Sequence, residues 1–68
     1  MAWGMDELIN VLKKHPEGLT AREIAKETGR NLSWVYFVAN RLELKGIIKV
    51  ERAKSKYKPK IYKLVQNG

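Results

Sequence analysis

At Gly46 the apolar residues of this chain stop recurring every three or four positions and begin to alternate. A switch of that kind turns a helix-forming stretch into a strand-forming one, because helices repeat every 3.6 residues and strands every two. The segments on either side must fit around it. Before the switch, Met5, Leu8, Ile9 and Leu12 fall at the i, i+3, i+4, i+7 spacing of one helical face, which predicts a first helix from Met5 to His15. Pro16 and Gly18 stop it. Leu19 stands alone between that break and a new helix start, so it is expected to plug the core while the chain turns. Thr20-Ala21-Arg22-Glu23 has the pattern of a capping box, in which the hydroxyl and the carboxylate each satisfy the other residue's amide. A short second helix over Ala21, Ile24 and Ala25 to Thr28 follows, with Gly29 suited to the left-handed position that ends a helix.

Four residues, Gly29-Arg30-Asn31-Leu32, then lead to a third helix capped by Asn31 or Ser33. Its apolar face reads Val35, Val38, Ala39 and Leu42, and small Ala25 and Ala39 would let the second and third helices cross closely. Two helices joined through a tight glycine turn make a helix-turn-helix. Gly46 closes the third helix after Lys45, whose cation suits that end of the helix dipole. Beyond it Ile48, Val50 and Arg52 alternate with Ile47, Lys49 and Glu51, and after the basic, turn-prone 53–59 stretch, Lys60 to Val65 alternates again with Tyr62 and Leu64 on one face. The expected fold is α+β and mostly α: three helices followed by a two-stranded β-hairpin, the order of a winged helix-turn-helix. With 68 residues the chain has material for one core, so residues 1–68 are expected to form a single domain with 1–4 and 66–68 frayed.

The net charge of +7 is placed unevenly. Residues 1–44 carry six bases and six acids, whereas residues 45–63 carry eight bases against Glu51 alone. A local excess of that size suits a polyanion, although a solubilising basic segment would look the same from charge alone. There is no cysteine and one histidine, His15, so no disulfide framework or thiolate metal site is expected, and no metal or cofactor. No apolar run approaches the roughly 20 residues of a membrane span, and the N-terminus lacks the pattern of a secretory signal; the expected location is cytoplasmic, on DNA, with no membrane partner. No Ser/His/Asp or Cys/His set, P-loop or Gly-rich dinucleotide signature is present. An enzyme is not expected, nor is a small-molecule ligand.

Leu19-Thr20-Ala21-Arg22-Glu23-Ile24-Ala25, Gly29, and Arg41-Leu42-Glu43-Leu44-Lys45-Gly46-Ile47-Ile48 together resemble the winged helix transcription regulators, particularly the MarR-like and ArsR-like DNA-binding cores. The likeness covers about Leu8 to Leu64. It implies a recognition helix over residues 33–45 lying in the major groove of double-stranded DNA and a wing over 53–60 resting on the backbone. Carried over, it exposes Ser33, Trp34, Tyr36, Phe37, Asn40 and Arg41 on the helix, with Asn31 at its start. Asn40 and Arg41 can bond base edges or phosphates.

The three aromatics depart from the small polar residues usual at such positions. Three readings of Trp34, Tyr36 and Phe37 stay open: contact with thymine methyls and sugars, a surface for a partner protein or a second copy, or enlargement of the core by Trp34 and Phe37 beneath the first helix or Trp3. On the wing, Lys54, Lys56, Lys58 and Lys60 alternate and so share one face of an extended strand. Phosphate contact is one reading; an edge kept charged against strand-to-strand association is the other. Arg52, Arg22, Arg30 and the α-helix start near Asn31 can add phosphate contacts, and Tyr57 can lean on sugar or on Pro59. His15 reads as a helix-end surface residue. The expected function is a small sequence-specific transcription regulator, with a homodimer as a candidate assembly and a sequence-tolerant architectural or replication module and a protein-docking winged helix as the alternatives.

Overall fold

The computed structural model describes residues 4–52 and 59–65. Three helices, α1 (Met5–Lys13), α2 (Ala21–Thr28) and α3 (Leu32–Leu44), precede two strands, β1 (Ile48–Glu51) and β2 (Ile61–Leu64). The architecture is the expected winged helix-turn-helix.

Each helix begins and ends for a local reason. α1 carries Asp6 and Glu7 in its first turn and Lys13 in its last, the arrangement that complements the helix dipole. It stops two residues short of the expected His15, because Pro16 disfavours helical geometry in the residue before it. The chain leaves instead through tighter bonds, Lys14 N–H to the Val11 carbonyl at 3.2 Å and His15 N–H to the Leu12 carbonyl at 3.1 Å. At α2 the capping box is complete: the Thr20 amide donates to Glu23 Oε1 at 2.9 Å and the Glu23 amide to Thr20 Oγ1 at 3.2 Å. Gly29 ends α2 with φ of 73°, a left-handed value that a side chain would resist. Of the two candidate caps for α3, Asn31 fills the role. Its Oδ1 accepts from the Trp34 amide at 2.8 Å, so the turn is one residue shorter than expected, Leu32 opens the helix, and Ser33 lies inside it, exposed.

The strands pair antiparallel in the register Ile48 with Leu64, Lys49 with Lys63, Val50 with Tyr62 and Glu51 with Ile61. A lone two-stranded ribbon is marginal in water, and here it gains a third rung from a distant place. Leu19 bridges Tyr62, donating to its carbonyl at 3.0 Å and accepting from its amide at 2.8 Å. Leu19 is buried as expected, but its backbone also ties the α1–α2 connection to β2. Gly18 permits that approach: with φ of 91°, a Cβ there would stand 2.9 Å from the Tyr62 carbonyl oxygen.

The core is assembled from the anticipated stripes. Leu8 and Leu12 of α1, Ala21 and Ile24 of α2, and Val35, Val38, Ala39 and Leu42 of α3 close around Leu19, Ile48 and Tyr62. Met5, Ile9 and Ala25 pack at its margin, and no charged or polar residue is buried among those described. Burying each large apolar side chain contributes about 1.5–3 kcal/mol. This core holds the other side of α3 out toward solvent.

Candidate nucleic-acid interface

With Val35, Val38 and Leu42 turned inward, helical geometry at 100° per residue points Ser33, Phe37, Asn40 and Leu44 directly away from the core. Phe37 is 48% exposed and Leu44 80%. Tyr36, 53% exposed, and Glu43 flank this stripe on the hairpin side. With Phe37 and Asn40 they form one wall of a cleft of about 420 Å³, whose other wall is Val50, Arg52, Lys60 and Tyr62 of the hairpin. A second hollow of about 420 Å³ lies beyond Tyr36, where Thr20, Ala21 and Arg22 at the start of α2 face Pro59 and Lys60. Tyr36, Lys60 and Tyr62 line both, so they form the ridge between the two hollows.

The aromatic cluster divides. Trp34 is half-buried and packs against the core, with its indole so close to the start of α1 that a Cβ on Gly4 would lie 2.7 Å from Cζ2. Tyr36 and Phe37 remain on the surface, and the Arg41 guanidinium stands over the Phe37 ring at 5.2 Å. The reading in which the core takes up aromatics thus describes Trp34 and not Phe37. Residues 1–3, Trp3 among them, lie outside the described residues, as do Lys54, Lys56, Tyr57 and Lys58 of the expected wing.

The cations sort by what they touch. On the outer face of the hairpin Lys49 and Lys63 sit directly opposite each other, and Glu51 holds both, at 3.6 and 2.9 Å. The hydrogen bond from Lys63 keeps the Glu51 carboxyl below its usual range; burial opposes it, and the charges of Lys63 and Lys49 add to the lowering. Two of the cations after Gly46 thus share the one carboxylate there, on the side away from α3. Arg52 and Lys60, by contrast, line the cleft beside α3 and, like Arg22 and Arg41, make no ion pair among the described residues. Arg30 is engaged: its Nη2 lies 2.9 Å from Glu7 Oε1, its Nε donates to the same oxygen at 3.0 Å, and its guanidinium covers the Trp34 ring at 4.7 Å.

Several residues of this surface were not among the sequence candidates, Leu44, Glu43 and Tyr62 among them. Leu44 and Glu43 follow from extending the helical wheel one turn past Asn40, a signal present in the sequence. Tyr62 does not, because it is a core residue that nevertheless lines both hollows. Burial lifts its phenol above the ordinary 10.0, reinforced by Tyr36 and Glu43 and opposed by Arg52. Among the described residues no group of His, Asp and Glu is arranged to hold a metal ion, and no helix is long and apolar enough to cross a membrane.

The arrangement is a helix offering hydrogen-bonding and apolar groups on one line, flanked by cations from a hairpin and from the start of the preceding helix. No curated protein matches the chain. The family model described as sugar-specific transcriptional regulator TrmB matches residues 8–67. That is a winged helix family, which agrees with the expected resemblance at the level of fold and DNA-binding role and names the branch more narrowly than MarR-like or ArsR-like. By a match over nearly its whole length, this chain belongs to the TrmB family of sugar-specific transcriptional regulators and carries its helix-turn-helix DNA-binding fold.

Proposed function

We propose that the chain reads double-stranded DNA by laying α3 in the major groove and setting its hairpin along the phosphate backbone. The observation that supports this best is the company of Asn40. It lies on the outward line of α3 between Phe37 and Leu44, and it shares a cleft with Arg52 and Lys60. An amide in that position can make the paired bonds to adenine N6 and N7, and an apolar ring beside it can meet a thymine methyl. Cations on the rim contribute sequence-independent attraction to phosphates. Ser33 lies on the same line and Arg41 flanks it, Arg22 adds a phosphate contact from the start of α2, and Lys54, Lys56, Tyr57 and Lys58 add further contacts to the DNA backbone. The family description assigns sugar specificity to its regulators, and we take the genes controlled through this site to be sugar-responsive.

Charge reversal tests the division of labour. Arg52→Glu with Lys60→Glu is expected to weaken binding to every duplex and to flatten the dependence of log K on log salt, each lost phosphate contact reducing the slope by about 0.9. Unchanged affinity in that double variant would remove the hairpin from the interface.

A further inference from the structure

Arg30 sits in the turn that delivers the chain into α3, where a phosphate contact would be the ordinary expectation for an arginine. Its surroundings describe a different task. Two nitrogens of one edge of the guanidinium meet Glu7 Oε1, at 3.0 Å from Nε and 2.9 Å from Nη2, and the flat face covers Trp34 at 4.7 Å. Its backbone is fixed as well, the Arg30 amide donating to the Ala25 carbonyl at 3.2 Å and to Thr28 Oγ1 at 3.3 Å. Three elements meet on this side chain: the first turn of α1 through Glu7, the turn itself, and the first turn of α3 through Trp34. Trp34 in turn lies against Gly4 and gives its amide to the Asn31 cap. On α3 it occupies the flank opposite Tyr36 and Glu43, away from the hairpin.

We infer that Arg30 is a positioning residue, a strut that sets the direction in which α3 leaves the turn, and that it keeps Glu7 and Trp34 as its partners when DNA is bound. This rests on the DNA-reading function proposed above. A planar fork that can bond along its edge and stack on its face at once is available from arginine and not from lysine, whose ammonium is a point charge. For a phosphate contact the demand is looser, since the charge of a lysine also neutralises a phosphate and a nearby glutamate only competes.

The two roles therefore predict opposite responses in one set of titrations. Wild type, Arg30→Lys and Glu7→Gln are titrated by fluorescence anisotropy against a pool-selected duplex and a random duplex over a salt series, with circular dichroism confirming that each variant is folded. If Arg30 is a strut, both substitutions lower the ratio of selected to random affinity several-fold and both leave the salt slope unchanged. Tighter binding of Glu7→Gln to both duplexes, with Arg30→Lys matching wild type, would overturn the strut and make Arg30 a phosphate contact. Failure of the wild type itself to bind at low salt would remove the DNA reading and the strut with it, an outcome distinct from either variant result.

Discussion

Leu42 and Leu44 are the same residue type two positions apart on one helix, yet one is fully buried and the other 80% exposed. Leu42 belongs to the face of α3 that closes the core with Val35, Val38 and Ala39. Leu44 belongs to the line of Ser33, Phe37 and Asn40 that points away from the core. A helix whose only task was to complete a core would carry polar residues along that second line. Here it carries Phe37, Leu44 and the flanking Tyr36, so α3 has two apolar-bearing faces, one that closes the core and one turned outward, to which we assign DNA reading.

The largest expected effect breaks the comparison directly. Leu42→Ala should lower the unfolding free energy by about 2–5 kcal/mol through lost burial and a cavity, measured by urea denaturation, while Leu44→Ala should stay within about 0.5 kcal/mol of wild type. A comparable loss at Leu44 would mean that the outward face is structural. Next, Asn40→Ala should leave stability unchanged and reduce discrimination between a selected and a random duplex by about 1–3 kcal/mol, the usual worth of one paired base contact; competition binding gives the number.

A third prediction concerns how α2 is started. Removing the hydroxyl in Thr20→Ala deletes an acceptor for the Glu23 amide and should cost about 1 kcal/mol in thermal or chemical unfolding, with base preference preserved. The smallest effect lies at high pH. Because burial raises the Tyr62 phenol above 10.0 in the fold, the folded state retains this proton more firmly than the unfolded chain. The associated stability is complete below pH 10 and is lost as pH rises through the folded-state value. Tyr62→Phe should accordingly flatten the alkaline fall in stability, and an equally steep fall in that variant would place the ionisation elsewhere.

The helices and the core were legible because their signals are local. Periodicity over three or four residues marked Leu8, Leu12, Ile24, Val35 and Leu42, and capping chemistry marked Thr20, Glu23 and Gly29. What escaped depends on residues far apart in sequence. The rung between Leu19 and Tyr62 joins segments more than forty positions distant, and nothing in either segment announces the other. The partition of cations is similar: Lys63 joins Lys49 and Glu51 only once the hairpin register is fixed, and Arg30 meets Glu7 only after α1 packs beside the turn. Three adjacent aromatics looked equivalent in sequence because their fates depend on where the start of α1 lies. Side-chain type suggested the recognition surface, and tertiary packing decided which members of it remain available.

The most direct test of the central claim is a fluorescence-anisotropy titration of the wild-type chain with a duplex selected from a random pool and with a random duplex, each across a salt series. A base-reading α3 gives tighter binding to the selected duplex at every salt concentration, with log K for both falling linearly with log salt at about 0.9 per phosphate contacted. Equal affinity for the two duplexes would contradict base reading by α3, and no binding to either at low salt would contradict the DNA interface altogether.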